Sequence, residues 1–317
     1  MSSAPVEQAQ ALGGRAGSGT RGIYVANLIA QMGIIVTGAV VRLTGSGLGC
    51  PTWPECVEGS YVPTSRQEES WHKYVEFGNR LLTFVLVILA IAAVVAALLD
   101  MRRRARAGGA RRLPLLALAC IPILGTVAQA VLGGITVLTG LHPATVAAHF
   151  LVSIGIVAGC MALVVRSGDP GDQPVYLHVR REIRWLTWLL VAVVAVVVIL
   201  GVITTGSGPH SGDAEAENRF SFDPRTVAWL HADAVLFFFG LLVALLLALR
   251  LTEAPNRVRR AAWALMAVAL AQGAIGYLQY FTGLPIVLVG IHVVGAVCLW
   301  TAMLWVVGTE RTRGPVP

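Results

Sequence analysis

Charge is scarce in this sequence. Only 13% of its 317 residues are Asp, Glu, Lys or Arg, and lysine occurs once, at Lys73, against 23 arginines. With 56% hydrophobic residues and a mean hydropathy of +0.72, a soluble domain is excluded, because it would expose too much apolar surface. Alternation of apolar and polar residues is also missing, which excludes a transmembrane β-barrel. No cleavable signal peptide is visible; residues 1–21 are polar, rich in Gly and Ala, and expected to be disordered. Cysteines number five. The close pair among them has no second ligand pair nearby, which argues against a metal site.

What the chain has is apolar runs of the length that spans a bilayer, about 20 residues. Eight are legible, at roughly 22–43, 74–99, 113–138, 144–165, 185–205, 227–249, 261–281 and 286–307. Lipid offers no partners to open backbone groups, so each is expected to be a helix. The arginines fall between these spans with a strong bias: counting the linkers after spans two, four and six and the two termini, 18 of the 24 basic residues lie on one side. That is the positive-inside bias, so both termini are expected in the cytoplasm and the chain is expected to be a multi-pass membrane protein in contact with lipid; the single lysine against 23 arginines is associated with a GC-rich bacterial genome, and so with a bacterial plasma membrane. The same distribution argues against nucleic acid as a partner, despite the net charge of +7.

Cys120, Cys160 and Cys298 lie inside spans and read as small hydrophobes. Cys50 and Cys56 flank "PTWPE" in the first external loop. Outside the cytoplasm such a pair favours a disulfide, with a redox-cycling dithiol as the alternative.

The sequence is written twice. Gln129 is followed by "TGL" at Thr139–Leu141 and by His149; Gln272 is followed by "TGL" at Thr282–Leu284 and by His292, with the same spacings of 10 and 20 residues. Gly133 and Gly276 each follow their glutamine by four positions, and "LTGSG" (Leu43–Gly47) matches "TTGSG" (Thr204–Gly208). Each half carries four spans, so the halves are expected to be parallel repeats, each a four-helix bundle. The expected organisation is a cytoplasmic N-terminus (1–21), a first bundle (22–166), a linker (167–184), a second bundle (185–307) and a tail (308–317).

Of seven histidines, His178 and His210 read as solvated loop residues, His142 as a turn residue, and His72 as an interface marker. His149, His231 and His292 lie within spans, four to seven residues from their external ends, and so about 6–10 Å below that surface. Intramembrane histidines are functional candidates. Aligning the halves sets His292 against His149, and His231 against a position near Asn79. Two neutral imidazoles from opposite helices of an apolar bundle suit haem iron; zinc or copper would want further ligands. Arg80, Arg42, Arg219 and Arg225 are external-side candidates for haem propionates. Glu76 precedes Asn79 by three positions, on the same helix face. Its carboxylate is expected either to point into the first bundle's pocket, where it could move a proton, or to pair with Arg80 in an ordinary salt bridge.

The Cys pair, "EFGNR" after it, "Q-x3-G" before "TGL", and one histidine in each of spans four, six and eight resemble the haem A synthase family over roughly 22–307. The resemblance implies two four-helix bundles and oxidation of the C8 methyl of haem O to a formyl group, giving haem A for cytochrome oxidase. It implies a haem b cofactor on His231 and His292, substrate haem O on His149, and a catalytic Glu76 beside a pocket containing Asn79 and Arg80. Haem O synthase and an electron donor would be partners. Two features depart from the family: Asn79 stands where a second ligand histidine is usual, and the loop 206–225 lacks the second Cys pair of some members. Asparagine is a poor haem ligand, so the substrate iron would be five-coordinate through His149, or water-ligated. The rival readings are a bis-haem electron-transfer cytochrome, a haem carrier or transporter, and a cofactor-free scaffold.

Overall fold

Each apolar run becomes one long helix. The computed structural model describes residues 17–65, 67, 70–106, 112–210, 212–213 and 218–313. Its helices are α1 (Ser18–Leu43), α2 (His72–Arg106), α3 (Leu113–Leu138), α4 (Pro143–Ser167), α5 (Arg181–Ser207), α6 (Pro224–Leu251), α7 (Asn256–Phe281) and α8 (Ile286–Thr309). All eight are long and apolar enough to cross a membrane, so the chain is a multi-pass membrane protein. Large apolar side chains such as Ile88, Phe84, Leu124, Phe237 and Trp263 point outward, as lipid requires.

Within each half the four helices close a ring. α1 packs on α2, α2 on α3, α3 on α4, and α4 back on α1; α5 to α8 do the same. The rings meet where α8 packs on α4 and α1, and α5 on α4. Trp300 of α8 is buried in that seam and donates its indole N–H to the carbonyl of Ile154 on α4, 3.1 Å away. The protein thus has a disulfide end, carrying the Cys50–Cys56 loop, and an arginine-rich end, carrying the start of α1 and the end of α8. Toward the arginine-rich end the second ring is filled by Leu242, Leu245, Leu265 and Met303, none of them exposed.

The repeated "TGL" turns have the same conformation in both halves. Gly140 and Leu141 have φ of 60° and 57°, and Gly283 and Leu284 of 78° and 60°. The turn hydroxyls of Thr139 and Thr282 donate back to Ile135 and Leu278, at 2.8 and 2.7 Å. A leucine in the left-handed region is strained. Leu141 is held there by burial between Gly47 and Gly212. Helix starts follow capping chemistry: the Asp223 carboxylate accepts from Thr226 N at 2.8 Å, and Pro224 occupies the first turn. His142, expected as a turn residue, is the N-cap of α4.

Several expectations need adjustment. Residues 1–16 lie outside the described residues, but 18–21, expected to be disordered, begin α1. α2 runs past its expected end at 99 to Arg106. The linker and the tail pair as short antiparallel strands, β1 (Val175–Leu177) and β2 (Arg311–Arg313). His178 is bonded there rather than solvated: its N–H donates to Glu310 O at 2.8 Å and its ring meets Thr312 Oγ1 at 2.9 Å. The buried Glu310 carboxylate ties α8 to α5 by accepting from the Thr187 hydroxyl and from Arg184 at 3.1 Å. Replacing Glu310 by alanine strands those donors. It should destabilise the protein by about 1–3 kcal/mol, read as a lower Tm in detergent or nanodiscs.

Candidate functional site

A cavity of about 1020 Å³ lies in the half of the protein nearer the disulfide end and crosses from one ring to the other. Two separate pockets had been expected. His149, His231 and His292 all line this one space, together with Asn79, Gln129 and Gln272. The helices carrying the paired positions make at most slight contact: α6 and α8 stand diagonally across the second ring, as do α2 and α4 across the first. His231 and His292 therefore reach the cavity from opposite walls. Asn79 and His149 do the same in the first ring. From their helix starts the three histidines and Asn79 all lie about 9–10 Å deep.

One imidazole is set by backbone. His231 Nδ1 is 3.0 Å from the carbonyl of Val197 on α5. A carbonyl can only accept, so Nδ1 carries the proton and Nε2 keeps its lone pair, the arrangement a metal-ligating histidine needs. Nδ1 of His149 and of His292 is buried without a partner among the described residues. Each ring lies against a glycine of the neighbouring helix. A Cβ on Gly201, Gly276 or Gly133 would stand 3.2, 3.2 or 3.3 Å from Cε1 of His231, His292 or His149. Those glycines form cradles that a side chain would fill. Gly133 and Gly276 were legible as repeat markers; Gly201 was not, having no counterpart in the repeat.

The two glutamines are staples. Gln129 Nε2 donates to His149 O and Gln272 Nε2 to His292 O, both at 2.8 Å. Each crosses from its helix to the next at the histidine itself. Gly295 leaves the space for Gln272, since a Cβ there would fall 1.9 Å from its Oε1. In the first ring Asn79 takes a different partner, with Thr37 Oγ1 donating to its Oδ1 at 2.7 Å. Among the described residues no group of three or more His, Cys, Asp and Glu could hold a metal ion. A broad apolar space with imidazoles on opposite walls fits a porphyrin better than a compact ion.

The arginines divide. Arg42 and Arg225 line the cavity. Arg42 also donates to Thr205 O at 3.0 Å and His210 O at 2.9 Å, bonding the first half to the second. His210, expected as a solvated loop residue, is half-buried and its Nε2 is 3.0 Å from Leu284 O. Arg219 donates to loop carbonyls of Gly208 and Pro209.

Arg80 and Glu76 are not on the cavity wall. Cys50 and Cys56 form a disulfide, and the loop it closes lies over the start of α2. Glu76 Oε2 accepts from the Cys50 N–H at 2.6 Å, and Oε1 from Arg80 at 2.6 Å. Arg80 also donates to Cys50 O (2.8 Å), Thr52 O (3.1 Å) and Glu55 O (3.2 Å). Trp53 lies on α3 at Gly134, where a Cβ would be 2.4 Å from its ring. Of the two orientations open to Glu76, the salt bridge is the one adopted. A buried carboxylate needs charged and N–H donors; the loop and Arg80 supply them, and the apolar cavity wall does not. His72 belongs to the same roof, its Nδ1 2.8 Å from Ser46 Oγ.

Comparison with known proteins gives one family and a consistent set of relatives. A family model described as cytochrome oxidase assembly protein (COX15-CtaA) matches residues 21–304. A protein named heme A synthase from Geobacillus kaustophilus is 30% identical over 138 residues, 42% of this chain and 39% of the relative. Another of that name from Lysinibacillus sphaericus is 31% identical over 166 residues, 51% of this chain and 50% of the relative. One from Geobacillus thermodenitrificans is 38% identical over 65 residues, 20% and 19% of the two chains. The matched stretch thus spans half or less of each of these relatives.

The clamp at Glu76 has a measurable strength. Arg80→Ala removes every side-chain donor to Glu76 Oε1 and three bonds to the loop. Its side chain is 23% exposed and that of Glu76 7%, so the loss should sit at the lower end of a broken buried pair, about 3 kcal/mol. The loop should open with it. Cys50–Cys56 should be reduced and alkylated under mild thiol far faster than in the parent protein.

Proposed function

The chain belongs to the COX15-CtaA family of cytochrome oxidase assembly proteins, and on that premise we propose that it is a haem A synthase of a bacterial plasma membrane, with both termini cytoplasmic. In this reading it oxidises the C8 methyl of haem O to a formyl group, and haem O synthase and an electron donor are its partners. The observation that carries the reading is the shared cavity with His231 and His292 on opposite walls.

The second ring would hold a haem b. His231 fits, because its Nδ1–H is committed to Val197 and its Nε2 is available; His292 fits, because its backbone is pinned by Gln272 and its ring is cradled by Gly276. When bound, that haem supplies one-electron chemistry. The first ring would hold the substrate on His149. Asn79, tied to Thr37, leaves the opposite face of the substrate with a weak protein ligand. Glu76 is one helical turn from Asn79, but its carboxylate is bonded to Cys50 and Arg80. A proton-moving role for Glu76 therefore requires it to leave that clamp. Its engagement there is the one observation that favours the rival reading, an electron-transfer cytochrome without methyl oxidation.

Two measurements test the proposal. Purified full-chain protein should show a six-coordinate low-spin haem b spectrum that His231→Ala and His292→Ala each abolish; a folded but colourless parent protein would rule haem out. Expression with haem O synthase in a host lacking haem A should yield haem A by chromatography, and no oxidised haem at all would leave the cytochrome reading standing. In the same assay Glu76→Gln should lose product while keeping haem b, and Arg80→Ala, which keeps the carboxylate, should retain part of it. Equal loss in the two variants would reduce Glu76 to a loop anchor.

A further inference from the structure

The cavity is closed to lipid on three sides. At the disulfide end the Arg42–Thr205, Arg42–His210 and Gly47–Gly212 bonds lie across the junction of the two halves, and the His210–Leu284 bond ties the second half's loop to its own "TGL" turn. Toward the arginine-rich end the second ring is filled, and toward the first bundle the cavity continues into the first ring, shielded from lipid where α5 and α8 pack against α4 and α1. The fourth side is the seam between α6 and α7. These are the most loosely packed consecutive helices in either ring, looser than their counterparts α2 and α3. Cavity-lining residues on both banks are exposed: Trp229 (58%) and Leu236 (57%) on α6, Tyr277 (54%) and Phe281 (77%) on α7. Among the described residues one side-chain hydrogen bond crosses the seam, from Trp229 Nε1 to Tyr280 Oη at 3.3 Å. Asp233, also on the cavity wall and exposed, makes no hydrogen bond or ion pair among the described residues. An ionisable group at that depth marks a pathway rather than a lipid-coated surface.

Resting on the haem reading above, we propose that the α6–α7 seam is a lateral doorway through which an amphipathic porphyrin passes between the bilayer and the cavity, with the Trp229–Tyr280 bond as its latch. The banks suit such a ligand. Trp229, Tyr277 and Phe281 offer aromatic faces to a planar apolar ring. Arg225, in the first turn of α6 with its guanidinium 5.4 Å over the Trp229 ring, offers charge at the membrane surface to the ring's acid edge. A sideways path lets the acids stay at that surface while the ring moves through hydrocarbon.

The test follows haem leaving the full-chain protein in lipid nanodiscs, captured by an excess of haem-free myoglobin. Tyr280→Phe, which removes only the bridging hydroxyl, should speed the loss. The pair Trp229→Cys with Tyr280→Cys should lose haem fast when open, and an order of magnitude or more slower once a bismaleimide joins the two helices. Single-cysteine variants treated with the same reagent control for Cys120, Cys160 and Cys298. His210→Ala, which loosens the roof, should leave the rate unchanged. An unchanged rate after cross-linking, or a faster one in His210→Ala alone, would overturn the doorway and leave the haem reading intact. Protein that never carries haem would overturn both.

Discussion

The structure turns on holding an imidazole in an apolar bundle with its lone pair free. Histidine inside a membrane span is costly unless one nitrogen is satisfied and the other has a use. The Val197 carbonyl satisfies Nδ1 of His231. That carbonyl is reachable only because Gly201, one turn further along α5, lets the ring lie against the helix. The glutamine staples at His149 and His292 fix the depth of the other two rings. Remove the cradles and the staples, and the cavity is an apolar hole with mobile polar groups at its edge.

The two halves share this scheme but not its outcome. The "TGL" turns, the staples and two of the three cradles are duplicated. The first half then closes its disulfide end with a loop bolted to α2 through Glu76 and Arg80, and lines the cavity opposite His149 with Asn79 rather than a second histidine. The second half has no such bolt among its described residues, and its α6 and α7 are loosely packed. The frame thus carries a chamber covered by the disulfide loop beside one whose α6–α7 side is loosely packed, joined by a single cavity.

Much of this was legible in the sequence. Hydropathy and arginine placement set the eight spans, because lipid enforces helices and the spans carry few other signals. Equal spacings marked the two "TGL" turns and the two glutamines as alike, and depth singled out three histidines. The orientation of Glu76 was not legible. Helical spacing puts it on the face of Asn79, but the choice between cavity and loop depends on the Cys50 N–H, which is brought there by a loop with no regular pattern. Gly201 was missed because a glycine in an apolar span carries no mark of the ring it faces. The merging of two pockets into one depends on how α1, α4, α5 and α8 meet, which no local spacing encodes. The strands formed by 175–177 and 311–313 were missed because three residues are too few to show alternation.

The central claim is that His231 and His292 share one iron through their Nε2 atoms. Pulsed electron paramagnetic resonance on the purified protein, with histidine labelled by nitrogen-15 at Nε2 alone, tests it directly. The account predicts strong hyperfine coupling to two labelled nitrogens on a low-spin ferric centre. Coupling to one labelled nitrogen, or to none, would contradict it.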